Sequence, residues 1–442
     1  MDSMSDAGGT GTTGGLQRVI RVRDGLAVTV GMIIGAGILR TPGLIAGYVG
    51  NAWTILLVWL LGGIVAGLST LLLAEMSAAL PSAGGKYVYA KAAFGPLAGF
   101  VAGWSELVVT RAFSGAAKAV VVAEYATSLA GRGSVPVLAG VVVLGFLMLH
   151  MGGIKAGTRF QNVSTIVKIV VLLGIAAAGL MSGDASGFNE PFRVAPEYAG
   201  LLGFALAYQA VAFAYYGWED AAKLAEEVKD PGKSLPKILL GGAAAVAAVY
   251  LLINVSFLFA LTPAEMDGSP LVAQDAVAGV LGPAAGKVIV VAGLLILLSS
   301  INVNFLGMPR VAFALARDRL APAIFTRVGR RGTPTAALVF ISLLIFGLAI
   351  SGAFEFLIRF MMLIAISVDL MVFVGFFRLR WTRPDLVRPM RVPGYPWLPG
   401  LAILLYLMVL AVIIIAQPAL AIGGAAMLLA FIVAGALTVR NV

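Results

Sequence analysis

Gly35, Ala36 and Gly37 stand at the centre of an apolar run, residues 25–49 (GLAVTVGMIIGAGILRTPGLIAGYV), with Pro42 and Gly43 close behind. Glycine weakens a helix because ordering it removes the most backbone freedom. A helix opened at this point restarts with unpaired N–H groups and the positive end of its dipole, which suit a carboxylate. The small side chains let a ligand reach the backbone. The Gly31–Gly35 spacing also fits a small-residue face for packing against another helix. Pro42 and a matching weak point further on favour the binding role. That second point lies in LLGFALAYQAVAFAYYGWEDAAKLAEE, where Gly217 follows Phe213, Tyr215 and Tyr216 and precedes Trp218, Glu219 and Asp220. If this helix unwinds before Gly217, the carbonyls of Phe213, Ala214 and Tyr216 lose their helical partners and suit an ammonium. The rings would then close over the rest of the ligand. A packing stripe or an interfacial belt is the alternative for these aromatics, but the two carboxylates after Gly217 argue against simple lipid packing.

Isolated charges within apolar runs are the next candidates, because an ionisable group there is costly and points to function. Lys168, in STIVKIVVLLGI, is suited to act as a protonated amine in place of a sodium ion against the broken first helix. Snorkelling to the near edge of the membrane is its alternative. Arg40, one turn beyond Gly37, either biases selection toward acidic or neutral ligands or pairs with Glu106. Glu106 is also the best intramembrane carboxylate for a polycation, unless Arg111 neutralises it. Lys118, Glu124, Arg359 and Asp369 read as structural pairs or end-snorkelling residues. Gly232-Lys233-Ser234 is no phosphate loop, because Glu227 holds the position that needs glycine. The sequence presents no metal-ligand cluster and no catalytic triad. No cofactor, no metal and no enzymatic activity are expected.

The elements that must position these residues follow from composition. The chain has 442 residues, 60% hydrophobic and 12% charged, with mean hydropathy +0.99. Soluble chains carry about 25% charged residues. The fold class is therefore all-α integral membrane, with about twelve transmembrane helices. The spans expected are 25–49, 52–79, 97–129, 134–151, 160–182, 200–222, 238–262, 286–315, 335–352, 354–378, 397–416 and 419–439. Most of the 31 basic residues fall in alternate loops, which orients the chain with both termini cytoplasmic. The net charge of +10 arises from those loops, and no nucleic-acid partner is implied. Residues 1–24 read as a flexible cytoplasmic tail without a signal peptide. The chain has no cysteine, so no disulfide-linked subunit is expected. Five spans separate the two weak points, a spacing that suits two five-helix units of opposite orientation.

Four stretches carry a family resemblance. They are GMIIGAGI (31–38), AEMSAALPSAGGKYVYAKAAFGPLAGFVAGW (74–104), FAYYGWEDAAKLAEEVKDPGKSLP (213–236) and SSINVNFLGMPRVAFALARDRLAP (299–322). Together they resemble the amino acid–polyamine–organocation transporter superfamily, nearest its L-type and cationic amino-acid branches. The resemblance implies a leucine-transporter-type fold, a 5+5 inverted repeat with two C-terminal helices. The units would be 25–182 and 200–378, joined by an external loop 183–199. A basic cytoplasmic loop 379–396 would lead to the added helices in 397–442. It further implies a substrate carboxylate on the amides near Gly35, Ala36 and Gly37, and an amino group on the carbonyls of Ile33, Phe213, Ala214 and Tyr216. Trp218 would lie near the substrate side chain. Lys168 matches the lysine that fills a sodium position in sodium-independent members, with Ser299 and Ser300 near its amine. Two positions depart from the pattern: Ala36 stands where Ser or Thr is common, and Arg40 where an apolar residue is common. The expected function is sodium-independent secondary active transport of amino acids across the cell membrane by alternating access, as proton symport or amino-acid exchange. A polyamine or organic-cation carrier and a non-transporting nutrient receptor are the rivals. With about 24 residues before the first span and few after the last, the receptor reading lacks a signalling domain.

Overall fold

The computed structural model describes residues 18 and 20–440, apart from 83, 153, 183, 184, 191 and 330–332. Most of the expected tail 1–24 and part of the loop 183–199 thus lie outside the described residues. The first apolar run is two helices, Val22–Ile33 (α1) and Ala36–Val49 (α2), set at 42° to one another. Ala52–Ala79 (α3) is capped by Asn51, whose side-chain oxygen accepts from the N–H groups of Trp53 and Thr54. Lys86–Phe94 (α4) leads into Pro96–Trp104 (α5), a π-helical stretch Ser105–Arg111, and Ala112–Ala130 (α6), one continuous rod. Val135–Met151 (α7), Ile154–Met181 (α8) and the short Ser186–Asn189 (α9) follow.

Leu201–Tyr215 (α10) stops well before the expected 222, because Tyr216 turns extended and Gly217 takes a φ of +115°. Only glycine adopts that backbone readily. The chain re-forms as a 3₁₀-helix over Asp220–Glu227. Pro231–Ala260 (α11) starts ahead of the expected 238, with proline at its first position, where the missing N–H costs nothing. Pro263–Met266 (α12), Val272–Leu281 (α13), Pro283–Arg317 (α14), Thr335–Ala349 (α15), Phe354–Thr382 (α16), Trp397–Ala416 (α17) and Pro418–Val439 (α18) complete the order. Among the described residues the one β-pairing is an isolated bridge between Ile20 and Val228.

Six of these helices, α3, α11, α14, α16, α17 and α18, are each long and apolar enough to cross a bilayer. The α1–α2 pair, and the α5–α6 rod with α7, raise the number to eight if each bent pair counts once. Burial separates the centre from the rim. In their most apolar stretches α16 is 72% buried, whereas α17 and α18 are 22% and 11% buried. Ile415 and Ile422 are almost three-quarters exposed. Apolar surface on that scale is stable only against lipid, so this is a multi-pass membrane protein. α10 packs on α2, α11 on α3, α1 and α8, and α14 on α8, α6 and α13. The two interrupted helices therefore lie inside the bundle.

One end of the bundle is held by ion pairs. Glu75 of α3 takes Arg380 at 2.9 Å, Arg388 at 3.4 Å and the Val392 N–H at 2.7 Å, which ties down the 379–396 segment. Asp318, just past α14, accepts from Lys91 at 2.5 Å and from the Tyr87 hydroxyl. Burial raises the Asp318 pKa, but these two hydrogen bonds and the charges of Lys91 and Arg317 outweigh it and hold the carboxyl below its ordinary value.

Candidate functional site

The two breaks meet. A Cβ on Gly37 would lie 2.3 Å from Ala214 Cα, so α2 and α10 touch backbone to backbone there. Ile34 is extended, and the interruption falls at Ile34–Gly35, just ahead of Ala36. α2 restarts at Ala36, so its first N–H groups face the interruption without intrahelical partners. A Cβ on Gly35 would strike the Ser300 hydroxyl at 2.2 Å, so any larger residue there would have to displace that side chain.

The hydroxyl of Tyr250, on α11, donates within reach of both the Ile33 carbonyl (3.2 Å) and the Ala214 carbonyl (3.1 Å). One polar group thus spans two of the oxygens expected to hold an ammonium. Sequence reasoning passed over Tyr250, since a tyrosine in an apolar run reads as packing. The Phe213 carbonyl departs from expectation: it accepts the Tyr216 N–H at 3.1 Å, so the turn recaptures it. Trp218 and Tyr216 also turn elsewhere. Their rings flank the Lys86 ammonium, at 5.9 and 4.9 Å, and line a small cleft with Gly62, Tyr208, Asp369 and Tyr406.

Lys168 is fully buried and donates to the carbonyls of Gly31 (2.8 Å) and Ile34 (2.9 Å), the oxygens freed where α1 ends. This placement excludes snorkelling. Ser299 and Ser300 are buried on α14, and Ser300 lies against Gly35, next to the carbonyl that Lys168 binds.

Arg40 pairs with Glu124 at 3.0 Å, not with Glu106, and its guanidinium lies over the Phe354 ring at 5.1 Å. Phe354 in turn meets Phe213 edge to face at 6.0 Å. Arg40 and Glu124 line a wide open depression together with Thr127, Gly268 and Leu271.

Glu106 belongs to a separate buried network. The π-helical stretch brings Glu106 to the Arg111 guanidinium at 2.6 Å, and Lys223 reaches the same carboxylate at 2.6 Å. Arg111 also binds Asp220, at 2.8 Å through one nitrogen, and Glu219 at 3.4 Å. Lys86 closes the other side between Glu219 and Asp369. Glu106, Glu219 and Asp220 lie close enough to hold a metal ion by spacing alone, but a guanidinium and two ammonium groups already fill their coordination. Glu106 is therefore not a free carboxylate for a polycation. Lys86, which lies between the expected spans 52–79 and 97–129, is only 3% exposed.

The amino acid permease family matches this chain over residues 23–437, a span that includes both breaks and the side chains of the site. The chain belongs to that family. It falls within the amino acid–polyamine–organocation superfamily. The permease is 31% identical over 396 residues to the serine/threonine exchanger SteT of Bacillus subtilis, covering 88% of this chain and 89% of the relative. It is 28% identical over 420 residues to the b(0,+)-type amino acid transporter 1 of Mus musculus, covering 92% and 85%. It is 28% identical over 404 residues to the large neutral amino acids transporter small subunit 2 of Mus musculus, covering 88% and 75%. These relatives are transporters rather than enzymes.

Proposed function

We propose that this permease is a sodium-independent secondary active transporter of amino acids that works by alternating access. The observation that carries the reading is the meeting of the two interrupted helices, with one hydroxyl spanning the Ile33 and Ala214 carbonyls. A substrate ammonium suits the same pair of oxygens, and the amides that open α2 at Ala36 and Gly37 suit its carboxylate. A ligand lacking either group leaves buried partners unpaired, at about 1–3 kcal/mol each. Lys168 fills the position of a coupling cation with its own ammonium, which supports sodium independence. The architecture proposed is about twelve spans, with 25–182 and 200–378 as inverted five-helix units and 397–442 as two added helices. The basic residues gathered at the Glu75 and Asp318 end support a cell-membrane orientation with both termini cytoplasmic. The Arg40–Glu124 depression then faces outward. The exchanger among the relatives favours amino-acid exchange over proton symport, and the absence of cysteine favours a permease without a disulfide-linked subunit.

The test is radiolabelled amino-acid uptake into proteoliposomes with and without sodium, a proton gradient and internal amino acid. Uptake driven by internal amino acid and indifferent to sodium is expected. No flux for any amino acid rejects the proposal, and a strict sodium requirement rejects the role of Lys168.

A further inference from the structure

Lys118 has no place in the clasp or in the buried ion-pair network. It lies on α6 and is only partly buried. Its ammonium is 3.4 Å from the Ser300 carbonyl, at the long limit of a hydrogen bond. Among the described residues no carboxylate makes an ion pair with it. Opposite it, on α14, the Ser300 hydroxyl and both amide atoms of Asn304 are buried without a hydrogen-bond partner. Ser300 and Asn304 are four residues apart and share one face of their helix, as Gly115 and Lys118 do on theirs. A Cβ on Gly115 would lie 3.0 Å from Asn304 Nδ2, and one on Gly35 would strike Ser300 Oγ. These contacts close a seam between α6, α14 and the break in the first helix. Natural structures seldom leave so many buried polar atoms in one place without a ligand or ordered water to pair them.

Beside the Asn304 amide oxygen, which accepts, the seam holds three donors, an ammonium, an amide NH₂ and a hydroxyl, and this excess of donors suits an anionic oxygen ligand. The nearby charges point the same way. Lys168 contacts carbonyls rather than carboxylates, Arg40 is neutralised by Glu124, and Asp220 is taken by Arg111 and Lys223. We propose that Lys118, Ser300 and Asn304 form the subsite for the substrate side chain, and that they select amino acids whose side chain ends in a carboxylate, aspartate and glutamate. This rests on the transport reading above, which places the α-amino and α-carboxylate groups at the adjoining break.

The test is competition for L-serine uptake in proteoliposomes of the full chain, by L-aspartate, L-asparagine, L-glutamate and L-glutamine. At least one acid is expected to inhibit at a concentration about tenfold or more below its amide. Lys118→Met should shrink that ratio to within about threefold, because one donor of the set is gone. The same ratio is read a second way from the ligand-induced melting shift of detergent-solubilised wild type. Serine uptake inhibited equally well by acid and amide overturns the subsite and leaves the transport reading standing. An acid preference that survives Lys118→Met overturns it too. Absence of uptake for every amino acid overturns both readings.

Discussion

Truncating Lys168 to alanine removes the ammonium that binds the Gly31 and Ile34 carbonyls at 2.8 and 2.9 Å. Both oxygens lie at the end of α1, where the helix supplies no partner, and the site is closed to solvent. Each carbonyl left unpaired costs about 1–3 kcal/mol, so the broken helix loses about 2–6 kcal/mol of support. The lower figure alone is roughly a thirty-fold change in the population of the bent conformation. The assay is initial uptake at equal reconstituted protein, beside the melting temperature of the purified variant. Uptake should fall at least about tenfold and the melting temperature should drop. The variant also carries a second signature. With the ammonium gone, the two carbonyls are free to take a cation, so sodium should stimulate Lys168→Ala while leaving wild type unaffected. Unchanged uptake and melting in Lys168→Ala would refute the reasoning, as would a sodium response shared by wild type.

Three further outcomes are expected. Arg111→Met leaves Glu106 and Asp220 with Lys223 alone to neutralise them in a buried site; it should destabilise the protein by about 3–5 kcal/mol, read as a loss of melting temperature and of folded yield. Tyr250→Phe frees the Ile33 and Ala214 carbonyls; the empty protein should melt earlier, by the equivalent of about 1–2 kcal/mol, and a bound amino acid should raise the melting temperature more than in wild type. The Asp318 carboxyl is held below its ordinary value, so its contribution is present above the unfolded pKa of about 3.9 and is lost as pH falls through the folded value. Asp318→Asn should therefore lower the melting temperature at pH 7, with the gap to wild type closing below about pH 4.

Both helix breaks are legible in the sequence because their causes are local. Gly217 needs a backbone that other residues resist, and no apolar helix tolerates Glu219 and Asp220 facing lipid. Lys168 is equally visible, since a charge in an apolar run must find a partner. Which partner it finds is not local. Tyr250 acquires meaning only when α11 lays it across two carbonyls from different helices. From the sequence Arg40 can pair with Glu106, yet it meets Glu124, because helical azimuth, not distance along the chain, decides which carboxylate faces it. Lys86 follows glycines in a polar connection and reads as a loop charge. Its burial depends on Glu219 and Asp369 arriving from two other segments. The Phe213 carbonyl differs for a smaller reason: the first residue of the turn donates back to it.

The wide winding of Ser105–Arg111 sets more than one contact. In an ordinary α-helix, residues five apart point about 140° from each other. Glu106 and Arg111 share a side only because this stretch holds its residues in looser turns. Everything C-terminal to it on the rod inherits that offset. Rewinding the stretch with one residue fewer would swivel the remainder of the helix by about 100°. Arg111 would then leave its carboxylates, Lys118 its serine and Glu124 its arginine in a single motion. One local gain of circumference thus fixes the compass bearing of three charges, spread from the buried network to the outer depression.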